Sequence, residues 1–125
     1  MRSFTIGLAR DIVEIRREDG IHLQAACDGT AHASATELLA AALGACIAAS
    51  LAPLLARHGI EPEHLHLAVA ARGGQFADGL AVTIGLPACD AALLERCRRA
   101  ATRCPVHRAL DVPIDLDFDI PPREA

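Results

Sequence analysis

The sequence predicts an α+β fold in which helices pack on one face of a mostly antiparallel sheet. Three observations carry this. Strand-like and helix-like segments follow the order three strands, long helix, hairpin, helix, strand, with no regular βα alternation. Ser34 and Glu37 form an S-x-x-E capping box at the head of an apolar run over 38–56. Near the end of the chain, Ile114, Leu116, Phe118 and Ile120 alternate with Asp115, Asp117 and Asp119, the period of a strand with one buried and one solvated face. At 125 residues and 13.1 kDa, the chain reads as a single domain over 1–125.

Taken in order, "RSFTIGLA" and "DIVEIRR" are short β-rich runs, the second setting Ile12, Glu14 and Arg16 against Val13 and Ile15. "EDG" at 18–20 is a turn signal and "IHLQAAC" a third strand, which together make an antiparallel N-terminal meander. "DGTAHAS" is a loop. The capping box then opens a helix from about residue 35 to His58, with Gly59 as its terminator and a bend expected near Pro53. "HLHLAVAAR" and "LAVTIGLP" flank "GGQFADG" as a hairpin. Asp90 caps a second helix, "AALLERCRRAATR", and "CPVHRAL" starts a turn or short helix before the final strand.

Composition narrows the function classes. Apolar residues make up 52% of the chain, yet only Phe4, Phe76 and Phe118 are aromatic and much of the rest is alanine, which buries little area. A monomer core built this way is thin, which argues for dimerisation. The net charge is −4, the twelve Lys+Arg are all arginine, no basic run exceeds "RR" and no aromatics interleave with them. Nucleic-acid binding finds no footing there. The run over 38–56 is long enough to span a membrane, but it is rich in alanine, contains Pro53 and sits among short alternating segments. A helix buried on all sides reads the same way, so no membrane role is expected. The N-terminus shows no signal-peptide apolar core, and five cysteines, an odd number, fit a reducing cytoplasm better than a disulfide framework.

The cysteines differ in their surroundings. Cys27 ends a strand, Cys89 precedes the cap Asp90, and Cys97 lies between Arg96 and Arg98; each reads as a packed or incidental thiol. Cys46 shares a helix face with Leu39, Ala42, Leu43, Ala49, Ser50 and Pro53. Small neighbours let another backbone approach closely, or leave a narrow apolar channel to the sulfur, and burial there raises a thiol's pKa. From composition alone, packing is the simpler role. In "CPVHR", Pro105 stands at the first position of a helix, making Cys104 its N-cap. Unpaired amides, His107, Arg103 and Arg108 would favour its thiolate, so locally Cys104 reads as the more acidic of the two. Cys104 and His107 have the spacing of half a zinc knuckle, but a second pair of comparable spacing is missing; His64 and His66, at i,i+2 on a strand, could share a face. No nucleophile elbow or phosphate-binding glycine loop appears, and no metal or cofactor is expected.

The pairing of "ELLAAALGAC" with a downstream "CPVHRAL" resembles the OsmC/Ohr family of osmotically induced and organic-hydroperoxide-resistance proteins, in its general OsmC-like branch. The resemblance covers residues 1–120 in element order. It implies an OsmC-like fold with antiparallel sheets around a long central helix, and an intertwined homodimer with two active sites at the interface. It also implies a thiol-dependent peroxidase acting on organic hydroperoxides, or hydrogen peroxide, in oxidative-stress defence. Cys46 would be the peroxidatic thiolate and Cys104 the thiol that closes a disulfide, with an external dithiol as reductant. The family's active members carry a glutamate ten residues before the first cysteine and an arginine from the N-terminal region. Here Thr36 holds the minus-ten position, and Glu37, at minus nine, faces away from Cys46 on an ideal helix, so capping explains it better. Arg10, Arg16 and Arg17 are candidates for the arginine by position. The rival reading is a catalytically weak or inactive dimer that binds a small apolar or electrophilic ligand near Cys46.

Overall fold

A computed structural model describes residues 2–10, 12–26 and 33–121. The chain divides into two compact units, Met1–Leu39 and Ala40–Ala125. In the first, β1 (Phe4–Ala9), β2 (Ile12–Arg17) and β3 (His22–Ala26) form the expected antiparallel meander in the order β1-β2-β3. The register sets Ile6 opposite Ile15 and Ile15 opposite Leu23, with Leu8, Val13 and Ala25 in the adjacent row. Directly opposed side chains share a face, so Phe4, Ile6, Leu8, Val13, Ile15 and Leu23 make one apolar surface. Much of it is open: Leu8 is 70% exposed, Ile6 62% and Leu23 51%. On the other face Glu14 accepts from Gln24 at 2.9 Å and pairs closely with His22. Cys27 and residues 28–32 of the loop read from the sequence lie outside the described residues.

Helix α1 (Ala35–Ala56) begins as its capping box dictates. Ser34 Oγ accepts the Glu37 amide at 3.2 Å, and the Glu37 carboxylate accepts the Ser34 amide at 2.9 Å. That backbone bond holds the Glu37 carboxyl below the usual range. At the other end, the Ile60 amide reaches back to Leu55 O (3.0 Å) and the Gly59 amide to Ala56 O (3.1 Å). This is a Schellman stop, and it needs the left-handed φ of 76° that Gly59 supplies. The helix runs through Pro53 as one continuous element.

The second unit contains the core. Leu43, Ile47, Leu51 and Leu55, four residues apart on α1, are fully buried together with Leu80, Val82 and Ile84 of β5 (Leu80–Gly85). Leu93, Cys97 and Ala101 of α2 (Ala91–Arg103), with Leu86 and Cys104, complete the cluster. Asp90 caps α2 as expected, accepting the Leu93 amide at 2.8 Å. Among the described residues α1 is the one helix long and apolar enough to cross a membrane; Leu43, Ile47, Leu51 and Leu55 are spent on this core. Much of the rest of its surface is alanine, with Ala41, Ala42, Ala45 and Ala49 exposed beside Leu39.

The second sheet has the order β4-β5-β6, with β4 at His66–Ala71 and β6 at Ile114–Asp119. β4 and β5 form the expected antiparallel hairpin, joined through short 3₁₀ turns. β6 departs from the mostly antiparallel expectation: it pairs parallel with β5, Val82 opposite Leu116 and Ile84 opposite Phe118. The cause lies in the connection. The chain leaves β5 through α2 and the short α3 (Pro105–Ala109), and a helical crossover brings it back to the end from which β5 started.

Candidate active site

Cys46 sits midway along α1, half-buried, one position before the core residue Ile47. The helix there lies close against the sheet: a Cβ on Gly44 would come within 3.1 Å of Val69 Cγ2 on β4. A glycine at this position therefore sets how near α1, and the thiol on it, approaches β4. Ser50 Oγ donates to the Cys46 carbonyl at 2.9 Å, a back-bond one turn along.

Cys104 stands at the joint between α2 and α3. Its extended backbone (φ −62°, ψ 142°) ends the first helix and starts the second, with Pro105 at the first helical position. The sulfur caps α3 as the sequence predicts, accepting the His107 amide at 3.3 Å. The residue is almost wholly buried. Cys46 lies near enough to influence its titration.

The expected acidity of Cys104 is opposed by its burial. Burial pushes its pKa up, and the His107 and Val106 amides offset this only in part. The hydrogen bond and charge of Cys46 raise it further. A short helix gives few amides, and Arg103 and Arg108 lie exposed at the surface, where water screens them. Desolvation of a buried thiolate outweighs the cap. Burial thus favours the protonated Cys104 thiol.

The remaining sequence candidates fall elsewhere. Cys97 is fully buried, and burial together with the charge of Cys89 pushes its thiol up to about 11; it is a packed thiol. Cys89 is half-buried against the same core. His64 ends a 3₁₀ turn and His66 opens β4, so they do not share a strand. No three His, Cys, Asp or Glu side chains gather into a metal-binding group among the described residues. Of the N-terminal arginines, Arg17 is engaged with Asp19 at 2.6 and 2.7 Å, Arg16 is exposed, and Arg10 adopts a left-handed φ of 59° in the β1–β2 turn. The pairing of the two thiols is implied by the resemblance of the motif pair; nothing local to either cysteine encodes it.

Comparison with known proteins supplies the relationship. The family model described as OsmC-like protein matches residues 28–119. An OsmC-like protein from Mycoplasma pneumoniae superposes with a TM-score of 0.77 at 14% identity, covering 96% of each chain. The organic hydroperoxide resistance protein OhrB of Bacillus subtilis superposes at 0.59 with 18% identity, covering 97% of this chain and 98% of its own. An organic hydroperoxide resistance protein OsmC from Legionella pneumophila superposes at 0.65 with 14% identity, covering 96% of each. At these identities the solved structures speak for the fold. No curated protein matches the chain.

Proposed function

Starting from the fact that this chain belongs to the OsmC-like family, we propose that it is a thiol peroxidase that reduces organic hydroperoxides through Cys46 and Cys104. The observation that carries the proposal is a buried Cys104 whose thiol pKa is raised by burial and by its interaction with the half-buried Cys46. The Cys46 thiolate attacks the distal peroxide oxygen. The O–O bond breaks, the departing alkoxide takes a proton and leaves as alcohol, and Cys46 becomes a sulfenic acid. Cys104 then attacks the sulfenic sulfur, its proton leaving with the hydroxyl as water, and a disulfide forms. An external dithiol reaches the more exposed Cys46 sulfur. As Cys104 departs, its developing thiolate is received by the His107 and Val106 amides at the head of α3.

The relatives' names support the substrate class, since two of them are organic hydroperoxide resistance proteins. A homodimer is part of the proposal. The open apolar face of the β1–β3 sheet and the exposed alanine side of α1 are surfaces that a second copy would cover. A cytoplasmic location rests on the odd number of cysteines. The test is one equivalent of cumene hydroperoxide per chain followed by peptide mapping. A Cys46–Cys104 disulfide with loss of both thiols is expected; peroxide that persists beside two reduced thiols sinks the proposal.

One observation favours the second reading, a weak or inactive dimer that binds a ligand near Cys46. Glu37 is spent on the cap of α1, and Thr36 stands where the family's active members carry glutamate. A ligand-induced rise in melting temperature that survives Cys46→Ser would mark that case.

A further inference from the structure

Away from the thiols, an open depression of about 340 Å³ beside α1 and α2 is lined by Leu54, Arg57, Arg96, Arg99, Ala100 and Arg103. Arg96, Arg99 and Arg103 follow one another at i, i+3 and i+7, along one stripe of α2. Arg57 faces them from just beyond the end of α1, its Nε pinned to the Pro53 carbonyl at 3.3 Å. Four of twelve basic side chains thus meet in one depression of a protein whose net charge is −4. Among the described residues no carboxylate lines it, and Arg99 on its rim pairs with Glu95 at 3.5 Å.

A solvated helix face is the bland alternative, and it explains part of this. Cations at helix C-termini are stabilised by the helix dipole, which accounts for Arg57 and Arg103. It does not account for Arg96 and Arg99, which lie a turn or more inside α2. Nor does it account for the concavity or for the apolar floor of Leu54 and Ala100. Gathered guanidinium groups repel one another, and a bound anion would remove that repulsion. Guanidinium forks match phosphate oxygens two at a time. The volume exceeds what one bare phosphate fills and lies at the lower end of small-molecule sites, which run to roughly 300–1,000 Å³.

We propose that this depression binds a small organic diphosphate-class anion, its charged group held by Arg57, Arg96, Arg99 and Arg103 and its less polar part lying on Leu54 and Ala100. The site shares no residue with the thiol pair, so the claim stands apart from the peroxidase reading. The experiment is isothermal titration calorimetry of the intact protein with ADP and with inorganic pyrophosphate, at fixed ionic strength, with sulfate as the single-anion control. At least one of the two diphosphates is expected to saturate at one per chain, at least tenfold tighter than sulfate. The double variant R96A/R103A is expected to weaken it at least tenfold while keeping the wild-type melting curve. Absence of saturable binding by both probes overturns the proposal. So does sulfate binding as tightly, or full affinity retained in the folded variant.

Discussion

Raising the pH from 8 to 11 is expected to cost this protein stability through one identifiable side chain, Cys97. Its thiol is fully buried on α2, and burial, with the charge of Cys89 behind it, raises the pKa from an ordinary 9.0 to about 11. A thiol is neutral when protonated. The native state therefore keeps this proton at pH values where the unfolded chain has released it. Between pH 9 and 11 the unfolded state binds fewer protons, so the unfolding free energy falls as pH rises. The contribution is whole below pH 9 and is lost as pH passes through the folded value. Two pKa units set a ceiling of about 3 kcal/mol, of which about 2 kcal/mol is gone at pH 11.

Composition makes the window unusually clean. There is no tyrosine, and every one of the twelve Lys+Arg positions is arginine, which keeps its charge throughout. Thiols are the only side chains left to titrate between pH 9 and 11. Cys104, also pushed up by burial, acts in the same direction. The comparison is therefore between wild type and Cys97→Ala, by guanidinium melts under a reductant at each pH unit from 8 to 11. At pH 8 the alanine variant is expected to be less stable by about 1 kcal/mol, for the small buried group removed. By pH 11 the gap closes or reverses. Curves that stay parallel across the window would refute the assignment.

Three further outcomes follow from single contacts. Cys104→Ala removes the sulfur that caps α3 and should lower stability by about 1 kcal/mol in a denaturant melt, whereas Cys104→Ser keeps an acceptor for the His107 amide and should lose less. Both variants should stall after the first step, with Cys46 trapped as a sulfenic acid by dimedone. Gly44→Val places branched carbon where even one Cβ would lie 3.1 Å from Val69 Cγ2; a loss of about 1–3 kcal/mol in the same melt is expected from overpacking α1 on β4. Gly79→Ala has no such room to relax, because φ is +108° and the new Cβ would lie 2.7 Å from the Pro113 carbonyl. Its cost should be about 1–3 kcal/mol or more, seen as a fall in melting temperature.

What the sequence discloses divides by the range of the physics involved. Ser34 with Glu37, Gly59, Asp90 and Pro105 act on backbone groups within a few residues, and each stands in the structure where its chemistry predicts. The alternation over 114–120 gave β6 its half-buried face, but that pattern is the same whichever way a strand runs. Its parallel pairing depends on the helical crossover before it. The thiols mark the same boundary more sharply. A local view of "CPVH" counts the amides and cations around Cys104 and makes it the acidic partner. It cannot count the core that closes over the sulfur, and that desolvation is the larger effect. In the proposed cycle Cys46 attacks and Cys104 closes the disulfide, and a Cys104 thiol kept protonated by burial fits that order. Family resemblance implied that order from the motif pair alone. Burial of Cys104 supplies a physical reason for it, and does so without any contribution from the glutamate that this chain lacks at position 36.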